Sequence, residues 1–147
     1  MKGARISSWI GRLLIGAVSI MNVQSAVLFL WQPGKYTPGF QLNGVEGITA
    51  VRGIGLLFLM WNVPYFVAVL DPVKNRISLY EALIMQSIGV FGETLIYLSL
   101  PSGYGVLQNS LSRFIVFDSL GLALLIMAVL VTRTRLELAE GSNRIGS

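Results

Sequence analysis

Four charged residues stand inside apolar stretches of this 147-residue chain: Arg52, Glu93, Arg113 and Asp118. An ionisable side chain is expensive within a membrane-length apolar segment, so these four are the first residues to ask for chemistry. Their charges cancel, and the planar fork of arginine suits bidentate pairing with a carboxylate. In one reading they form a neutral ion-pair layer that sets the register of packed helices, a role tied more to specificity than to stability. In another they line a polar cavity in which Arg52 and Arg113 hold an anionic head group. A third gives Glu93 the part of a proton-titrating carboxylate. Gln24 falls at a similar counted depth and joins the set. Arg113 and Asp118 are five residues apart, about 140° net around a helix, so each is expected to meet a different neighbour.

A second polar pair, Asn62 and Gln86, lies toward the other end of its spans. Amides there are expected to hydrogen-bond between helices, worth about 0.6 kcal/mol on average in membranes. Asn62 belongs to the run Met60-Trp-Asn-Val-Pro-Tyr65. Pro64 frees the Met60 carbonyl and is expected to kink its helix, with Trp61 and Tyr65 lining any pocket so formed. The chain has no histidine and no cysteine. That removes the usual general base, the thiolate nucleophile and the commonest metal ligands. Gly53-Ile-Gly55 lacks the strand and third glycine of a dinucleotide loop. No metal, cofactor or catalytic constellation is expected.

The elements that must carry these residues follow from composition. The chain is 54% hydrophobic and only 12% charged, about half the charge of a soluble domain. Four stretches suffice to cross about 30 Å of hydrocarbon: residues 9–31, 47–70, 79–100 and 111–132. Unpaired backbone groups are not tolerated in lipid, so these are helices, and they lack the alternation of a barrel strand. The connections are short, which predicts one all-α membrane domain over residues 1–147, an up-down four-helix bundle with a polar tail from Arg133. Ser78, with Glu81 three residues on, and Ser110 are the expected helix caps. Gly47, Gly53, Gly55, Gly89 and Gly92 are expected to let helices approach closely, Gly92 beside the Glu93 carboxylate.

Eight of the eleven basic residues lie in the amino end, the second loop and the tail. The positive-inside rule therefore places both termini in the cytoplasm. Trp9, Trp31, Tyr36, Phe40 and Tyr80 stand where interface aromatics belong. The basic start followed by an apolar run has the outline of a signal peptide, but the apolar run continues to Trp31, as in a retained span. The +4 net charge thus marks orientation rather than nucleic-acid binding. A multi-pass protein of the bacterial plasma membrane is the expected setting.

The four short-looped spans, the Arg52-Gly-Ile-Gly55 segment and the Gly92-Glu93 step resemble small bacterial membrane proteins of the DoxX-like group. The resemblance implies a four-span fold and an accessory role in a membrane complex, and it carries no site residue. Three functions remain open. The first is a non-enzymatic subunit of a larger membrane complex, or a small protein holding a lipid or quinone. The second is a proton-coupled transporter acting as a dimer, with Glu93 as the coupling group. The third is a lipid-modifying enzyme using Glu93 and Asp118 as acid and base. The partners in view are membrane lipids, a membrane complex or a second copy of the chain.

Overall fold

The computed structural model describes the backbone of residues 2–145 and the side chains of residues 6–132. Four helices follow one another: α1 (Lys2–Trp31), α2 (Gly44–Leu70), α3 (Arg76–Ser99) and α4 (Gly105–Ile145). Two 3-10 turns, Pro33–Lys35 and Thr37–Phe40, fill the first loop. No strand occurs among the described residues. Each helix holds a segment long and apolar enough to cross a membrane: Ile6–Trp31, Gly44–Leu70, Arg76–Ser99 and Gly105–Thr132.

The helix ends depart from the expected ones for local reasons. The Asp71 carboxylate accepts from the backbone N–H groups of Val73 (3.1 Å) and Lys74 (3.2 Å), closing an Asx turn. Asn75 Nδ2 then donates to the Val67 carbonyl, 2.8 Å away in the last turn of α2, where carbonyls lack helical partners. With Asn75 in the capping position, α3 starts at Arg76, and Ser78 lies inside the helix rather than at its cap. Gly103, at φ +102°, makes the turn into α4, a conformation that costs glycine little. The helix therefore begins six residues before Leu111, and Ser110 is an interior residue. Beyond Arg133, where a polar tail was expected, the backbone stays helical to Ile145. That segment is rich in Leu, Ala, Glu and Arg, all good helix formers.

The helices form a ring in which α1 and α3 each pack against both α2 and α4. The core lies toward the end that carries the second loop. Ile15 and Val18 of α1, Tyr65 and Ala68 of α2, Leu79 and Ala82 of α3, and Leu125 and Ala128 of α4 meet there. An alanine from each of three helices keeps the spacing short. Many outward-facing residues are large and apolar, among them Ile20, Phe91, Leu95 and Leu98, as a lipid-facing surface would require.

The glycines divide into two kinds. A Cβ on Gly55 would lie 2.9 Å from the Ala26 carbonyl oxygen and 3.0 Å from Phe29 Cβ, so α1 and α2 touch backbone to backbone there. Gly47 and Gly89 are equally confined, Gly47 by Leu42 and Gly89 by Asp118. Gly53 and Gly92 face open space, contrary to the packing role expected of them. Helix α2 runs through Pro64 as a single element.

Candidate binding sites in the bundle

The first site is a polar network at mid-bundle, drawn from all four helices. Tyr65 of α2, 2% exposed, donates its hydroxyl proton to Gln86 Oε1 of α3 at 2.6 Å. The same hydroxyl lies 3.2 Å from the Ala82 carbonyl oxygen. Gln86 Nε2 donates in turn to Asp118 of α4, to Oδ1 at 3.0 Å and to the backbone carbonyl at 3.2 Å. The amide of Gln86 is thus satisfied at both ends across two helix interfaces. Asn22 brings its side chain from α1 to the Tyr65 hydroxyl.

Two glycines make the network possible. A Cβ at Gly89 would run into Asp118 Oδ2, and one at Gly121 would stand 2.8 Å from Gln86 Nε2. Each glycine faces a polar side chain of the opposite helix. The α3–α4 hydrogen bonds can form because both backbones come close.

Asn22, Asn62, Tyr65, Gln86 and Asp118 surround a chamber of about 20 Å³, with Phe58, Trp61 and Met85 as its apolar walls. That is room for about one water molecule. Asn62 is fully buried. Its Nδ2 donates to the Phe58 carbonyl at 2.6 Å, and its Oδ1 has no partner.

The second site lies at the end that carries the first loop. Phe29 sits at the centre of an aromatic cluster. It meets Tyr36, Phe40 and Phe114 edge-on, with ring centroids 4.7, 6.1 and 6.1 Å away, and stacks on Phe58 at 5.8 Å. Ser110 donates to the Gly39 carbonyl at 2.7 Å, tying the loop to α4. Between α1, this loop and α4 opens a cavity of about 370 Å³. Its walls are Phe29, Tyr36, Phe40, Phe114 and Phe117, and its cations are Lys35 and Arg113, both exposed.

The expected charged layer does not assemble. Arg52 and Arg113 are exposed, whereas Glu93 and Asp118 are half-buried. No ion pair joins these arginines to these carboxylates among the described residues. Glu93 Oε2 is buried without a partner, and the charge close enough to act on Glu93 is that of Asp118. Gln24 is exposed beside a groove with Ser19, Ile20, Val23 and Phe66, away from the carboxylates. Of the pair assigned to a separate layer, Gln86 bonds Asp118 across helices, whereas Asn62 donates within α2, to Phe58, rather than between helices and shares only the chamber with Asp118. The cause is the early start of α4. Asp118 stands 13 residues past Gly105, about 20 Å along the helix at 1.5 Å per residue, not in the first turns.

Of the residues expected around a Pro64 kink, Trp61 and Tyr65 line the chamber, and Pro64 is not among its lining residues. Asn22 escaped the sequence reading, although an amide nine residues from the end of α1 is a visible signal at mid-span. Lys35 and the phenylalanines of the larger cavity escaped as well, because only the folded loop brings them beside Arg113. No family model, no curated protein and no solved structure matches this chain.

Proposed function

We propose that this chain is a non-enzymatic membrane protein that binds an amphiphile with an anionic head group in the aromatic cavity beneath its first loop. The cavity itself carries the reading. Its volume of about 370 Å³ falls in the range of small-molecule sites, which are mostly apolar with a few placed polar groups. Five aromatic rings offer an apolar bed, and Lys35 and Arg113 offer positive charge at one cavity. Neither cation is spent on a carboxylate of the bundle, so both are available to a phosphate or carboxylate head. That favours an anionic lipid over an uncharged quinone.

The basic residues of the amino end, second loop and tail support termini in the cytoplasm of a bacterial cell. The cavity then faces the outer leaflet of the plasma membrane. An accessory place beside a larger complex, as the DoxX-like resemblance implies, is compatible with a lipid-binding role.

The test is lipid retention by the purified protein in nanodiscs of mixed phosphatidylglycerol and phosphatidylcholine, read by native mass spectrometry. The wild-type protein should retain the anionic lipid several-fold over the zwitterionic one. The Lys35→Gln/Arg113→Gln variant should lose that preference and keep its thermal stability, since both side chains are exposed. Equal retention by both proteins would refute the reading. The unpaired Glu93 favours a second one, a dimeric proton-coupled transporter. In that case Glu93→Gln should abolish proton-driven uptake and leave lipid retention unchanged.

A further inference from the structure

The mid-bundle chamber holds two acceptors that the bundle leaves short of donors. Tyr65 donates to Gln86, Gln86 to Asp118, and Asn62 Nδ2 to the Phe58 carbonyl. Asn62 Oδ1, in a fully buried residue, has no hydrogen-bond partner among the described residues. A carboxylate accepts at several lone-pair positions, and Asp118 receives the Gln86 side-chain amide at only one oxygen. The carboxylate also has no arginine or lysine paired with it among the described residues.

We propose that this chamber is a site for a single small monovalent cation, of the size and hardness of Na⁺. Asp118 supplies the charge, Asn62 Oδ1 a neutral ligand, and the Tyr65 and Asn22 side chains further oxygens. Hard cations take oxygen ligands of this kind. The chamber of about 20 Å³ holds one water-sized body, so it has room for a single small ion. One carboxylate neutralises one positive charge, whereas a divalent ion would leave net charge in an apolar surrounding. A water molecule would satisfy the acceptors and leave the carboxylate uncompensated. The proposal rests on different residues from the lipid cavity and does not depend on that reading.

The experiment is thermal unfolding of the purified chain in detergent micelles in NaCl, KCl and choline chloride at constant ionic strength, together with ²²Na⁺ binding. Na⁺ should raise the unfolding midpoint saturably, by several degrees over choline, because a ligand of the folded state stabilises it by mass action. Binding should saturate at about one ion per chain. Asn62→Leu, close in size and without the free oxygen, should abolish both effects. Asp118→Asn should do the same where it folds. Arg52→Gln should change neither. A midpoint equal in all three salts with no bound ²²Na⁺ would mean that the chamber holds only water, and the proposal fails. Na⁺ binding that persists in Asn62→Leu would place the ion elsewhere and overturn it equally.

Discussion

Gly89 and Gly92 stand three residues apart on α3, yet alanine at the two positions should act in opposite directions. At Gly89 the new methyl meets Asp118 Oδ2 and comes within 3.5 Å of its Cγ. The carboxylate must swing away, and the 3.0 Å hydrogen bond from Gln86 Nε2 goes with it. Forcing a methyl into a packed interface costs about 1–3 kcal/mol. Losing an interhelical hydrogen bond in a membrane adds about 0.6 kcal/mol, and up to about 1.7. The better helix propensity of alanine offsets about 0.5–1 kcal/mol. The net prediction for Gly89→Ala is a loss of about 1–3 kcal/mol. At Gly92 the methyl enters open space, so only the propensity gain remains. The two variants should differ by about 2–4 kcal/mol. At about 2–4 °C per kcal/mol for a chain of this size, that is a gap on the order of 10 °C in apparent unfolding midpoint. Thermal unfolding in detergent, followed by loss of the monodisperse peak in size-exclusion chromatography, measures it. If the two variants unfold together, or if Gly92→Ala is the worse, the close α3–α4 contact at Asp118 is wrong.

Two further substitutions probe other parts of the bundle. Tyr65→Phe removes the donor to Gln86 Oε1 and should cost about 0.5–1.5 kcal/mol. In a double-mutant cycle, Tyr65→Phe should cost much less in the Gln86→Leu background than in the wild type, and strict additivity would contradict the hydrogen bond. Phe29→Ala empties the centre of the aromatic cluster and should lower stability by about 2–3 kcal/mol. That is below the aqueous-core value, because lipid replaces water as the reference. The outward-facing Phe91→Ala should stay within about 0.5 kcal/mol of wild type, and equal losses at the two positions would refute the burial assignment.

The polar residues of the bundle were legible as a set and illegible as a geometry. Each of Asn62, Gln86, Glu93 and Asp118 stands out against its apolar neighbours, because the cost of a polar group in lipid is a property of the residue and its flanks. Which of them meet depends on two quantities that hydropathy does not carry. One is the axial offset of each helix. An apolar stretch that begins near Leu111 is part of a helix that begins at Gly105, and the difference shifts Asp118 from the Glu93 level to that of Gln86. The other is rotation about the axis. Arg52 and Arg113 stay near the depth of Glu93 but are exposed, whereas Glu93 is half-buried. Arginine's long side chain reaches polar surroundings from such a position, so the pairing that charge balance suggested is not needed. The glycines repeat the lesson. Gly89 and Gly92 look alike in the sequence, and only the placement of α4 distinguishes them.

Residue chemistry and spacing alone therefore determined the four apolar helices, their short connections and the gathering of basic residues at one end. These follow from the thickness of the hydrocarbon layer and the need to pair every backbone group within a span. The tertiary structure decided that Asn22, Asn62, Tyr65, Gln86 and Asp118 enclose one chamber, and that Lys35 joins Arg113 over an aromatic cavity. Those contacts depend on where glycines let backbones close in and on how a folded loop sits across α4. Both are relations between helices, and no single span encodes them.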